Sequence, residues 1–348
     1  MITNARIVST SVDPAGYHGQ PVKRGDAAFP MSPSAIKEFA RCPSRWVRGY
    51  NPPDSASMKW GRLVDTMLLT PDAFGDRYAV TPATYKATVM RCPACESESN
   101  AASCRKCGVK RIAAEMDKPW NGNASECQEW AKAHDGLEII THDTHAQATE
   151  AVNRIHEDAA TRDFLATCDT QVLVEAVWEH DGLAVPIRCL IDLAPRADTE
   201  FAACLGDLKT TTCAAKVPYQ RQCYRLGWHI QAAFNLDIYN AATGESRSEF
   251  VHIVSENFAP YEASRKRFLN DDQSSQNMIV LGRLAYRRAL NLYAQCVTRN
   301  VWPGYNTMGG CDSQGWGLIE AEPFMEYETG FAEVVTVPEA EEYEDFIP

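Results

Sequence analysis

Positive charge is in short supply in this chain: 34 Lys plus Arg stand against 46 Asp plus Glu over 348 residues, a formal charge of −12. That balance excludes a uniformly basic coat and leaves only local attraction to phosphates. The shortage is uneven. From Ile319 to Pro348 there are ten Asp or Glu and no Lys or Arg, so about −2 is left for everything before it. Residues 306–348 therefore read as an acidic tail, solvating and without fixed structure, with a sharper alternative in which it covers a basic groove or docks on a partner. Apolar runs of transmembrane length are missing, as is a secretory leader, so the expectation is a cytoplasmic protein that neither spans a membrane nor is exported. Residues 1–30 lack any hydrophobic period and contain Pro and Gly; they are expected to be a flexible lead.

Cysteine is the opposite case, with 13 residues. Four of them form Cys92-Pro-Ala-Cys95 and, after eight residues, Cys104-Arg-Lys-Cys107-Gly108. Each Cys-x-x-Cys turns the chain so that two sulfurs converge, and the pair has the spacing of a small zinc ribbon holding tetrahedral Zn²⁺. Two disulfides or an iron-sulfur cluster are the alternatives. The flanks are basic (Lys86, Arg91, Arg105, Lys106, Lys110, Arg111), which suits a phosphate grip, a partner contact or a purely structural staple. The other nine cysteines mostly sit in apolar runs, as Cys189 and Cys204 do, and read as free thiols of a reducing compartment.

The chemistry concentrates in the middle of the chain. Periodicity predicts helix over 146–167, strands over 171–179, 183–194 and 202–211, helix over 214–240, strand over 248–255 and a long helix over 260–298. A strand alternates its side chains, so Asp207 and Lys209 share a face while Leu208 turns into the apolar core. A turn centred between Thr199 and Glu200 brings Asp192 opposite Asp207. Two carboxylates about 5 Å apart on adjacent strands repel each other unless a cation lies between them, and a small set of oxygen ligands suits Mg²⁺ or Mn²⁺. Asp192, Asp207 and the Leu208 carbonyl are the expected metal ligands, with Lys209 orienting the attacking water and offsetting charge in the transition state. Taken alone, a DxK triplet is common and an Asp at a strand end is usually a turn residue.

The element order αβββαβ, with the acids on the second and third strands, resembles the PD-(D/E)xK nuclease core, a mixed-sheet α/β (α+β) fold. More closely, MSPSAIKEFARCPSRWVRGY (31–50), SMKWGRLVDTMLLTPDAF (57–74), IRCLIDL with GDLKTT, and YRLGWHIQAAFNLDIY (224–239) resemble, in order, four motifs of the exonuclease VIII (RecE-like) phage and prophage exodeoxyribonucleases. That resemblance covers residues 31–80 and about 145–305. It implies a Mg²⁺-dependent exonuclease acting on double-stranded DNA ends, a single-strand annealing recombination partner, a homo-oligomer that encircles DNA, and a bacterial or phage-infected host. It also implies roles for Glu175 and for Gln231 in the following helix. Iron-sulfur clusters of RecB-type nucleases draw three cysteines from after the core, where only Cys296 and Cys311 stand here, so zinc is preferred.

Two residues depart from the family pattern. Asp65 stands where relatives carry a His that reaches the metal, and it either ligates or merely solvates a helix. Asn235 stands where a Tyr often follows the Gln, and Tyr224 or Tyr239 could substitute. Glu175 pairs in register with Arg188 if His180 to Leu183 forms a tight turn, which puts it about 13 Å along the strand from Asp192. An ion pair with Arg188 is the structural alternative. Thr210, Lys216, Arg221 and Arg225 lead into or stand on the helix after the metal strands, where a helix start and basic side chains hold phosphates without reading sequence. The expected organisation is a lead (1–30), an N-terminal helical part (31–84), a ribbon insertion (85–125), the nuclease core (126–305) and the tail (306–348). Rival readings are a structure-specific or single-strand nuclease of the RecB or Cas4 type, and a catalytically degenerate DNA- or partner-binding module.

Overall fold

The computed structural model describes residues 1–10, 12, 17, 22–269, 277–307, 314 and 316. The acidic stretch 319–348 lies outside the described residues, as do 270–276 and most of 308–316.

In chain order the elements are β1 (Ile2–Ser9), α1 (Pro33–Arg41), α2 (Pro43–Val47), α3 (Ala56–Leu69), α4 (Phe74–Arg77), β2 (Tyr78–Val80), β3 (Thr84–Arg91) and β4 (Ile112–Pro119). They continue with α5 (Ser125–Ala133), β5 (Glu138–Ile140), α6 (His142–Glu157), α7 (Ala159–Ala166), β6 (Cys168–His180), β7 (Leu183–Pro195) and β8 (Cys204–Thr211). The last are α8 (Lys216–Arg225), α9 (Trp228–Thr243), β9 (Glu249–Glu256), β10 (Ala263–Leu269) and α10 (Met278–Arg299).

A six-stranded sheet in the order β1-β6-β7-β8-β9-β10 organises the molecule, antiparallel throughout except for the parallel β8–β9 pair. From α6 through β9 the order is the αβββαβ read from periodicity. Burial explains the layers. Val172, Val174 and Ala176 on β6 and Val185, Ile187, Cys189 and Ile191 on β7 pack with α1, α2, α9 and α10, around Phe39, Trp46, Phe234, Tyr286 and Tyr293. On the other face Leu193, Leu208 and Ile253 pack with Leu63 and Val64 of α3, Ile155 of α6 and Phe164 of α7. Among the described residues no helix is long and apolar enough to cross a membrane.

Four expectations about elements are corrected. The lead is not featureless: Ile2–Ser9 is an edge strand antiparallel to β6, with Ile2 opposite Trp178 and Arg6 opposite Glu175. Two register breaks and an exposed outer side erase the alternation that would have announced it. The helix expected from residue 260 is strand β10 over Ala263–Leu269, paired residue by residue with β9, and α10 starts at Met278, capped by Asn277 Oδ1 accepting from Ile279 N at 2.8 Å. Arg265, Lys266 and Arg267 are the charged residues of an edge strand, which keep it from pairing with another chain. The helix expected over 214–240 breaks at Gly227, whose φ of +67° is a left-handed conformation open to glycine at little cost. The expected helix over 146–167 likewise divides at Asp158, whose carboxylate caps α7 by accepting from Thr161 N at 3.1 Å.

The ribbon segment is a two-stranded arm, β3 paired with β4 from Thr84↔Pro119 to Arg91↔Ile112, carrying both cysteine pairs at its far end.

Candidate active site

Strands β7 and β8 are ladder-paired at Leu193↔Gly206, the only such pair between them among the described residues. Asp192 and Asp207 stand one antiparallel step further on, as the turn-centred register predicts. There the ladder lapses, and the Leu208 amide instead donates to Asp192 Oδ2 at 3.3 Å. The strands part where the acids begin. Leu208 is buried in the second-face core and Asp207 and Lys209 share the opposite face, as strand alternation requires.

The break at Gly227 sets the rest of the site. It redirects the chain so that Gln231, in the opening turns of α9, reaches both strand residues. Its Nε2 donates to Asp207 Oδ1 at 3.1 Å, and its Oε1 accepts from Lys209 Nζ at 3.3 Å. Lys209 Nζ also forms an ion pair with Asp207 Oδ2 and sits 5.5 Å from the centroid of the Trp228 ring. Asp207 is further paired in register with His252 of β9, whose Nε2 lies 3.9 Å from Asp207 Oδ2 and whose Nδ1 is 2.7 Å from the Tyr219 hydroxyl.

The charges fall into an uneven pair. Burial, then the neighbouring Asp207, raises the Asp192 carboxyl well above its ordinary range. Burial also opposes ionisation of Asp207, but Lys209, a hydrogen bond from Asp192 and His252 outweigh it and bring the group down to about 2. Lys209 loses water on burial, yet the attraction of Asp207, Asp192 and Asp65 keeps its ammonium above the usual value. Asp65, on α3, is raised to about 7 by burial and by the charge of Asp207. Burial and the Asp207 charge thus both oppose ionisation of Asp192, an opposition that a bound cation would relieve.

This donor set fits a hard divalent ion. Asp207 Oδ2 is buried between the Lys209 ammonium and, at 3.9 Å, His252 Nε2, which is itself buried without a hydrogen bond. The acids are not drawn in as tightly as the cysteines below. Among the described residues, those four thiols are the one group of three or more acidic, His or Cys side chains whose donor atoms all lie within 4.8 Å.

The remaining residues singled out by sequence divide clearly. Glu175 is not brought to the cluster: it pairs with Arg188 in the ladder, and its carboxylate accepts from Arg6 of β1 at 3.2 Å. The alternative ion pair with Arg188 is not formed either, because Arg188 donates to the Tyr17 carbonyl at 2.7 Å and lies over the Tyr17 ring. Tyr239 is buried against Arg247, 4.6 Å from its guanidinium, and serves the core. Asn235 is wholly buried, with both side-chain polar atoms lacking a hydrogen bond. Thr210 faces α3, its hydroxyl 3.2 Å from where a Cβ on Gly61 would lie. Lys216, Arg221 and Arg225 are exposed along α8, on the side away from the buried Tyr219 and Cys223.

Three neighbours of the site escaped sequence reading. His252 becomes a partner of Asp207, and Tyr219 of His252, only through the parallel β8–β9 register, which no local pattern encodes. Lys37 lies in α1, inside a segment read as an N-terminal helix. It is half-buried, and burial together with the Lys209 ammonium lowers it to about 8.

At the end of the arm, the two Cys-x-x-Cys turns repeat one backbone pattern. Cys92 N donates to Ser97 O at 3.1 Å and Glu96 N to Cys92 O at 2.8 Å; Cys104 N donates to Val109 O at 2.8 Å and Gly108 N to Cys104 O at 2.8 Å. Glu96 and Gly108 take the positive φ this knuckle needs, +57° and +69°. The sulfurs meet at 3.3 Å (Cys92–Cys107), 3.4 Å (Cys95–Cys104) and 3.6 Å (Cys95–Cys107). Disulfide bonds of about 2 Å are excluded, whereas the edge of a tetrahedron around a metal bound at about 2.3 Å is slightly under 4 Å. Arg111, buried, ties the knuckles together by donating to the carbonyl of Ser97 and, at 3.2 Å, to its hydroxyl. Hydrogen bonds from Ser97 and from the Lys106 and Cys107 amides bring the Cys104 thiol down to about 5.

Residues 32–314 match the family model described as a PDDEXK-like domain of unknown function (DUF3799). Among solved structures, the chain is similar to a protein from Eubacterium rectale provisionally designated an exonuclease, with a TM-score of 0.50 and 13% identity over 92% of this chain and 100% of that one. An alkaline exonuclease from Laribacter hongkongensis aligns with 51% of this chain and 84% of its own at 14% identity, with a TM-score of 0.23. The first likeness is one of fold; the second is too slight to argue from. No curated protein matches the chain.

Proposed function

The chain belongs to the PDDEXK-like family whose model spans residues 32–314, and from that premise we propose that it is a metal-dependent deoxyribonuclease, an exonuclease that hydrolyses phosphodiester bonds from duplex DNA ends. The observation that carries the reading is the Asp192–Asp207–Lys209–Gln231 network at the parting of β7 and β8, in which the buried Asp207 carboxylate is held by Lys209 and Gln231 beside the Asp192 carboxyl.

Asp192, Asp207 and the Leu208 carbonyl would hold Mg²⁺ or Mn²⁺, with Asp65 as a further carboxylate where relatives use His. When bound, such an ion supplies Lewis-acid activation of water and charge stabilisation at the phosphate. Lys209, kept protonated by its acidic neighbours, orients the water and offsets charge on the phosphate oxygens. Gln231 fixes the Asp207 carboxylate and the Lys209 ammonium in one plane of contacts, so neither must reorganise during the step. Thr210, Lys216, Arg221 and Arg225 would hold the backbone next to the acidic cluster, and the positive α8 surface offsets the negative net charge locally. Glu175, ion-paired with Arg6, lies outside this cluster.

Cys92, Cys95, Cys104 and Cys107 would hold Zn²⁺ as a structural staple for the arm. Resection of duplex ends leaves a single strand, so a single-strand annealing protein is the partner this activity calls for in phage-type recombination, and a ring-forming homo-oligomer is the assembly that would retain the DNA. Calorimetric titration with Mg²⁺ or Mn²⁺ tests the site directly: wild type binds, and Asp192→Ala does not. Absence of binding to wild type favours the degenerate binding module.

A further inference from the structure

The corner between α8 and α9 carries groups that the hydrolytic network leaves unused. Lys37 reaches it from α1. Its stem lies so close to the backbone there that a Cβ on Gly227 would fall 2.8 Å from Lys37 Cδ. Trp228, the residue after Gly227, carries the ring that Lys209 Nζ approaches at 5.5 Å, so the Lys37 stem lies on the same corner as the acidic cluster's lysine, and the charges of Lys209 and Asp207 act on its ammonium along with those of Arg41 and Glu38. Among the described residues no carboxylate or carbonyl pairs with it. A half-buried ammonium near another cation, with no hydrogen-bonded or ion-paired anion among the described residues, is suited to take one.

On the same corner, Tyr224 is 63% exposed although it is a large aromatic ring. It is not loose. Its inner face stacks on His229, with centroids 5.1 Å apart and planes 16° from parallel, and His229 is itself buried. One face of Tyr224 is therefore fixed and the other faces outward. Arg221 and Arg225 stand exposed on either side of it along α8. His229 also feels the Lys37 charge, which ties the stack to the ammonium in space. A rigid, outward-facing ring flanked by cations is the arrangement on which unpaired bases stack while their backbone is held by charge. A base inside a duplex already has both faces covered, so the ring suits a frayed strand.

We propose that Lys37 and the Tyr224–His229 stack form a subsite for one unpaired nucleotide beside the acidic cluster, with Lys37 taking a phosphate and Tyr224 the base. This deepens, and rests on, the nuclease reading. The phosphate is either terminal or internal to the strand; both present the same oxygens to an ammonium.

The test uses the full chain without added divalent cation, so that no hydrolysis competes, and short single strands in which 2-aminopurine is stepped in from each end. Wild type should quench the fluorophore at one position. Tyr224→Ala should lose that quenching and bind about ten-fold more weakly, within the range found for base–aromatic stacking, whereas Tyr224→Phe should retain both. Lys37→Met should weaken binding and lower the slope of log affinity against log salt by about 0.7, one phosphate contact to a single strand, and Lys37→Arg should restore it. If the Lys37→Met loss appears only with a 5′-phosphorylated end, the phosphate is terminal; if it appears equally with a 5′-hydroxyl, the phosphate is internal. Strand binding by wild type that is unchanged in affinity, slope and quenching in Tyr224→Ala and Lys37→Met overturns the subsite alone. Failure of wild type to bind any strand overturns the nuclease reading and the subsite with it.

Discussion

Gln231 on α9 donates to Asp207 on β8 at 3.1 Å, and through its other amide atom accepts from Lys209 at 3.3 Å. One amide thus holds both charged residues of the DxK triplet. Replacing it by Ala removes two hydrogen bonds to charged groups, each worth about 1.5–3 kcal/mol. Gln231→Ala should lower kcat on linear duplex about 10- to 100-fold while leaving the affinity for duplex nearly unchanged. A raised KM with kcat unchanged would indicate a role in binding instead.

Asp207→Ala and Lys209→Ala should each abolish nucleolysis with duplex binding retained. Removing one partner of a buried ion pair leaves the other uncompensated, which itself destabilises. Asp207→Asn separates the two effects, because its amide still offers an oxygen to Lys209. It should be inactive with a thermal midpoint close to wild type, as read by calorimetry.

The cysteine knuckles make a separate prediction. Purified protein should contain one zinc per chain by elemental analysis, and no iron. Cys104→Ser should lose it and open the arm to protease between residues 84 and 119, with the acidic cluster left intact. Zinc content that survives the substitution would place the metal elsewhere.

His252 supplies a pH dependence. Burial lowers it from an ordinary value of 6.5 to about 3, against the pull of Asp207. Its folded value lies below its unfolded one, so the unfolded chain takes up a proton first. The neutral ring contributes full stability above pH 6.5, and the contribution falls by about 1.4 kcal/mol per unit as pH drops from 6.5 toward 3. Asp65 and Asp192, raised in the folded state, act in the opposite direction and are common to wild type and variant. His252→Gln, which keeps a side-chain acceptor for the Tyr219 hydroxyl, should therefore lose less stability than wild type between pH 6.5 and 4 in metal-free urea unfolding. Parallel curves would contradict this.

Much of the site was legible because strand chemistry is local. Asp192 facing Asp207, Lys209 on the same side and Leu208 in the core all follow from a period of two and a turn position. The four thiols follow from spacing alone. The αβββαβ order emerged from hydrophobic period, and residues 32–314 match the PDDEXK-like family. What escaped depends on distant pairing. β1 pairs with a strand some 170 residues away, and its own residues alternate too weakly to reveal it. β10 hides because Ser264 to Phe268 reads as a charged helix until β9 provides the ladder. His252 and Lys37 come near Asp207 and the Gly227 corner only through the β8–β9 register and the packing of α1 on that corner. Glu175 shows the converse: the motif names it, but the ladder it sits in carries it away to Arg6.

The central claim is that the acidic cluster cuts DNA from its ends, and end-labelled linear duplex compared with a covalently closed circle, in Mg²⁺ and in EDTA, tests it most directly. The account predicts progressive loss of the linear duplex in Mg²⁺, none in EDTA or with Asp207→Asn, and an untouched circle. Equal cutting of the circle would contradict the requirement for an end, and degradation that persists in Asp207→Asn would contradict the site itself.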